Sequence, residues 1–197
     1  MNTTETAVSI KDTTANPAPL GLLGFGMTTV LLNLHNAGLY ELNSMIIGMG
    51  IFVGGTAQII AGIQEWKKNN TFGATAFTAY GSFWITLVTI WLLPRTSMGA
   101  GLKPDEISMG WFLLMWGIFT AFMFVGTLRL NRALQTVFGS LTILFVLLAL
   151  GDFTGIKEIR IIAGIEGIFC GFSAIYACAA QILNEVYGKT MLPLGKV

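Results

Sequence analysis

Few residues in this sequence can do chemistry, and those few stand in long apolar runs. Asn33 and Gln58 are amides in such runs, and Thr28, Thr29 and Thr142 are hydroxyls. Glu65 and Glu166 are carboxylates in the same setting, and His35 is the single histidine. Unpaired polar groups are costly in lipid, so these side chains belong in a protein interior or on a water-filled path. A threonine or serine can bond back to its own helix carbonyl, which accounts for roughly half of the hydroxyls. Asn33 and Gln58 are harder to dismiss in that way. His35 reads as an interfacial histidine near one end of its segment, with a proton relay as the alternative.

The acids differ from each other. Glu65 precedes Trp66, Lys67 and Lys68, so it is either a snorkelling interfacial carboxylate or a carboxylate at the mouth of a path. Glu166 lies deeper and is a functional candidate by its position alone. A pair with Arg160 would satisfy it. However, a six-residue spacing puts the two on different faces of a straight helix, so the pair needs a bend or a second subunit.

Catalysis has no support. There is no Walker loop and no GxSxG, HExxH or CxxC, and one histidine cannot build a histidine-rich metal site. We expect no enzyme activity, no cofactor and no metal. Cys170 and Cys178 are two helical turns apart, too far for a disulfide, and read as small buried hydrophobes. A net charge of +1 supplies no basic field for nucleic acid.

The elements that must position these groups are set by composition. The chain is 54% hydrophobic and 11% charged, against about 25% charged in a soluble domain, and its mean hydropathy is +0.71. A crossing helix needs roughly 20 apolar residues. Six segments qualify, near 19–37, 44–64, 72–93, 109–128, 133–150 and 160–183. Backbone groups in lipid must pair internally, so the expectation is an all-α integral membrane protein with six transmembrane helices. Residues 1–18 and 186–197 then form a cytoplasmic N-terminal segment and a cytoplasmic C-terminal tail around a transmembrane domain at 19–185. Lys11, Lys67, Lys68, Arg129, Arg132, Lys189 and Lys196 fall on one side. Arg95, Lys103, Lys157 and Arg160 fall on the other, which favours cytoplasmic termini in the cell membrane. No cleavable signal peptide is visible.

A weak internal repeat runs through the helices. The phrase GIF recurs at Gly50, Gly117 and Gly167 on the even segments. On the odd segments, GFGMTTVLL, AYGSFWITL and GSLTILFVLL align so that Phe25, Tyr80 and Leu141 share a register. Each lies about eight residues from one end of its span, or ~12 Å at the helical rise, near the middle of a ~30 Å hydrocarbon core. Three hairpins around a protomer axis would bring the three side chains together as a constriction. No Lys or Arg lies within a span core, so a dehydrated anion would meet no countercharge. A small acid would cross protonated, or bonded to hydroxyls, amides and helix-terminal N–H groups. On these residues alone the chain is a six-helix channel or transporter for a small polar solute. A channel for urea, an amide or ammonia is one alternative, and a membrane scaffold or sensor without flux is another.

Longer phrases sharpen this. NPAPLGL at 16–22, GFGMTT at 24–29, LLNLHN at 31–36, GGTAQIIAGIQE at 54–65 and NTFGATAFTAYGSFW at 70–84 resemble the acetate uptake transporter family. The resemblance continues through FMFVGTL, SLTILFVLLALG, SAIY and LNE, and covers nearly the whole chain. It implies a urea-channel-like protomer, a homohexamer in the bilayer, and a path through each protomer for acetate, succinate or related short carboxylates. It implies a narrow point at Phe25, Tyr80 and Leu141, and a family motif running from Asn16 to Leu22. Gln58 and Glu65 match polar positions of the second helix, and Ala174 a small pore position of the sixth. Glu166 departs from the family pattern, which is apolar or small there. The resemblance does not separate a proton symporter from an anion channel.

Overall fold

The computed structural model describes residues 14–197; Lys11 lies outside them, as does most of the expected N-terminal segment. Six helices are long and apolar enough to cross a membrane: α1 Ala18–Asn36, α2 Ser44–Lys67, α3 Thr71–Arg95 (its last turn 3₁₀), α4 Glu106–Thr127, α5 Arg132–Thr154 and α6 Lys157–Tyr187. Among the described residues there is no β-strand, only an isolated bridge between Asn131 and Lys196. The chain is a multi-pass membrane protein.

The helix starts are written in polar residues that hydropathy overlooks. Asn43, Asn70, Asp105 and Asn131 each accept a backbone N–H of the following helix through the side chain, which relieves donors left open at a helix start. Pro17 and Pro19 open α1, where a missing N–H costs little. Gly155 and Gly188 end α5 and α6 in left-handed conformations, at φ +68° and +62°. Several helices therefore run past the apolar windows, most of all α6, which starts at Lys157 and reaches Tyr187. Beyond it the chain folds back. Asn184 holds the backbone of Met191 and Leu192, and the Gly195 and Leu194 carbonyls accept from the first N–H groups of α5, Arg132 and Ala133, both at 2.9 Å.

The helices form a ring. α2 packs on α3, α4 on α5, α5 on α6, α6 on α1 and α1 on α2. α3 and α4 come less close, and rings fill the space between them: Phe83 stacks on Phe112 at 5.6 Å and meets Trp116 edge-on at 5.1 Å. The GIF glycines each stand in a helix seam. A methyl at Gly50 would strike Val88 of α3, one at Gly117 would press on Phe145 of α5, and one at Gly167 would overlap the amide of Asn33 on α1. Each even helix thus admits the next odd helix, and α6 admits α1. Asn33 and Val88 also stand eight residues after Phe25 and Tyr80, in matching register. We expect Gly167→Ala to lose about 1–3 kcal/mol to overpacking, read as a lower melting temperature of the purified protein in detergent. An unchanged melting temperature would contradict the fit.

The segment Met49–Ala57 of α2 is π-helical, a widening that often marks functional sites. Gly54 lies within it, where Thr28 of α1 and Trp84 of α3 both approach to 2.9 Å of where a Cβ would stand. On α4 the outward stripe Trp111, Met115, Ile118, Phe122 and Val125 is exposed, while Gly110, Leu113, Gly117, Thr120 and Thr127 face the bundle. That two-faced pattern places one side of α4 against apolar surroundings and the other in the core.

Candidate functional site

Phe25 on α1, Tyr80 on α3 and Leu141 on α5 meet inside the ring. They are 6%, 3% and 3% exposed, and all three line one void of about 20 Å³. That is room for about one water. None of them faces outward. The Phe25 and Tyr80 ring centroids are 6.0 Å apart, and Tyr80 also meets Trp116, Phe119 and Phe138. Its hydroxyl is directed away into α4. Thr120 gives its own proton to the Trp116 carbonyl at 2.7 Å, so its oxygen accepts from Tyr80 at 2.9 Å. Tyr80 therefore presents its ring to Phe25, locked by a bonded chain across the seam between α3 and α4.

Gln58 is the one amide on the void, 1% exposed, and its Oε1 has no hydrogen-bond partner. It sits at the foot of the π-helical segment, which shifts the phase of α2 just before it. A buried, unsatisfied carbonyl is expensive and calls for a reason.

Other expected path residues serve the walls. Asn33 donates to the Thr29 carbonyl at 2.9 Å, accepts from Asn36 at 3.0 Å and fills the notch at Gly167. Thr28 reaches the Met49 carbonyl at 3.5 Å and packs into Gly54. Thr142 returns to the Phe138 carbonyl of its own helix at 2.8 Å. Ala174 is fully buried. Asn33, Thr28, Thr142 and Ala174 all stand outside the lining of the void. Helix seams also need small or bonded residues, and sequence spacing does not separate the two uses. Thr29 keeps a buried hydroxyl with no partner. Asn16 caps the start of α1 through Ala18 N at 3.1 Å and donates to Gln181 of α6 at 3.0 Å.

Glu65 braces the turn between α2 and α3. It accepts from Asn70 at 2.7 Å and lies over Gly73, where a Cβ would come to 2.8 Å of its carboxyl carbon. Glu166 is half-buried with Oε2 unpartnered, and it lines neither the void nor the vestibule described next. The alternative of a pair with Arg160, disfavoured by the six-residue spacing, is not formed: Arg160 is bound to Asp152 at 3.0 Å and to Glu106 at 3.2 Å. Three helices meet there, α4, α5 and α6.

A vestibule of about 970 Å³ opens at the end of the ring away from the start of α1 and the end of α6. His35 stands in its wall and donates Nδ1–H to the Tyr40 carbonyl at 2.8 Å. Tyr40 donates its hydroxyl to the Leu31 carbonyl, and burial pushes its phenol above the ordinary value. Asp105 caps α4 in the same wall, its carboxyl held below the usual range by the Ser108 N–H. Thr120 and the Glu106–Asp152–Arg160 group were not singled out by sequence reasoning. Thr120 follows Gly117 by three residues on one helix face, which is a readable signal. The ion group joins residues far apart in the chain and leaves none.

A sequence model described as the GPR1/FUN34/yaaH family matches residues 1–194. The chain is 57% identical over 182 residues to the succinate-acetate/proton symporter SatP of Escherichia coli strain K12, covering 92% of this chain and 96% of that protein. It is 34% identical to acetate permease A of Emericella nidulans, over 91% of this chain and 65% of the permease. A solved structure of the bacterial acetate channel SatP is similar with a TM-score of 0.90 and 56% identity, over 92% of this chain and 99% of that one.

Proposed function

The chain belongs to the GPR1/FUN34/yaaH family, and from that membership we propose that it carries acetate, with succinate and related short carboxylates, across the membrane. The path runs through each protomer, between the vestibule and the opposite end of the ring. Phe25, Tyr80 and Leu141 form its narrow point. The observation that carries this reading is their meeting with Gln58 around a single small void. The protomers assemble as a homohexamer, as the family resemblance implies, and both termini face the cytoplasm, where the positive charge concentrates.

The void has no cationic side chain in its lining among the described residues. An acetate anion there would lose its hydration and find no countercharge. The acid therefore passes the narrow point with its own proton, hydrogen-bonded to Gln58. Each molecule brings one proton, so the flux is proton-linked without a dedicated carrier among Glu65, Glu166 and His35.

Radiolabelled acetate uptake into proteoliposomes tests this. An inward proton gradient should raise accumulation several-fold, and an internal pH dye should report acidification in step with uptake. Flux indifferent to the gradient would instead make the protein an anion channel. The uncharged lining equally suits a channel for a small neutral solute, which is the second reading; block by urea with no acetate flux would favour it.

A further inference from the structure

The vestibule holds an ion group of three, in which Glu106 suits the first turn of α4 but the other two members do not suit their own helices. Arg160 lies in the first turns of α6 and Asp152 in the last turn of α5. A cation near a helix N-terminus and an anion near a C-terminus both oppose the helix dipole. The side chains of Arg160 and Glu106 are 40% and 65% exposed, and a pair this open to water adds little to stability, while Asp152 is 17% exposed. The fold nonetheless makes room for the arginine: a Cβ at Gly151 would come to 2.8 Å of Arg160 Cγ, so the stem lies across α5 only because that residue is glycine. Both carboxylates are met by one nitrogen, Nη2, while the buried Nε has no partner. A guanidinium has five N–H donors arranged for carboxylates, and here much of that capacity is unused.

We propose that Arg160 is a carboxylate-binding residue at this mouth, where an incoming short carboxylate exchanges with Asp152 and Glu106 for its guanidinium. The proposal rests on the transport reading above. At neutral pH nearly all of a short carboxylic acid is anion, so a cation at the mouth raises the local supply of the species that is abundant. The proton is taken up afterwards, before the narrow point. Asp152 and Glu106 keep the arginine from holding its ligand too tightly, because each is a carboxylate already in place. Glu41 and Asp105 in the same wall are offset by Lys103 and Lys157, so Arg160 with its two displaceable carboxylates marks the place where a substrate carboxylate group fits.

The competition gives opposite signs for the two kinds of variant. In proteoliposomes, Arg160→Gln should raise the acetate KM about tenfold with the maximal rate within about twofold. Asp152→Asn and Glu106→Gln should each lower KM about threefold, because the arginine is released to the substrate. If the three groups only brace the helices, all three variants shift KM in the same direction, and that result overturns the proposal, as does an unchanged KM in Arg160→Gln. Glu106→Gln is exposed and tolerant, so it decides the sign even if Arg160→Gln does not fold. A wild-type protein that moves no acetate overturns the transport reading and this site together, whereas wild-type flux with unmoved KM values overturns the site alone.

Discussion

Leu141→Ala should turn lactate into a substrate, with uptake in proteoliposomes rising about tenfold over the wild-type protein while acetate uptake stays within about twofold. The reason lies in how the three sides of the proposed narrow point are held. Tyr80 is bonded through Thr120 to the Trp116 carbonyl and wedged among rings of α4 and α5. Phe25 leans on Tyr80, with glycines on both sides of it that admit Val53 of α2 and Gly171 of α6. Leu141 alone is aliphatic and has no polar tether, so it is the side that can be trimmed without releasing the others. A void of about 20 Å³ is too small for acetate at rest, so passage already requires movement. Removing the branched end of Leu141 lowers that requirement most for a bulkier acid. A buried Leu→Ala change costs about 2–5 kcal/mol, so uptake is to be scaled to folded protein measured by size-exclusion chromatography. Unaltered selectivity in folded protein would remove Leu141 from the constriction.

The meeting of Phe25, Tyr80 and Leu141 around one void was legible because it depends on local register. Aligning GFGMTTVLL, AYGSFWITL and GSLTILFVLL puts Phe25, Tyr80 and Leu141 level without knowledge of how the helices pack. The six helices were legible for a similar reason, since each is a long apolar run, and the Asn and Asp caps correct their ends. What sequence could not separate was a polar residue lining the void from one in a seam. Asn33 and Gln58 look alike as amides in apolar helices. Asn33 proves to be bonded on both sides and pressed into Gly167, whereas Gln58 keeps a bare carbonyl. The difference is made by the facing helix and by the π-helical phase shift before Gln58, neither of which has a sequence period. The partners of Arg160 were hidden for the same reason. Its candidate partner was sought along its own helix, but its carboxylates come from α4 and α5.

Gln58→Leu should lower acetate flux about a hundredfold while leaving the folded protein as stable as before, or more so. The two halves of that expectation come from one fact. In the resting structure Gln58 Oε1 is buried and accepts nothing, and such a group costs about 1–3 kcal/mol. Replacing the amide with an apolar side chain of similar size removes that cost, so the melting temperature in detergent should hold or rise. Transport loses the same group at the moment it is needed. A protonated acid in the narrow point has one O–H to give, and among the lining residues the Gln58 carbonyl is the side-chain acceptor that stands free. Without it the acid crosses with its donor unpaired, and a penalty of about 2–3 kcal/mol corresponds to roughly a hundredfold in rate. Gln58→Glu extends the test. With no cation in the lining the introduced carboxyl would be held neutral, and its carbonyl oxygen could still accept from the acid, so flux should survive better than in Gln58→Leu. A Gln58→Leu protein that is less stable and still transports would mean that the amide is a structural residue and that the acid takes its hydrogen bond elsewhere.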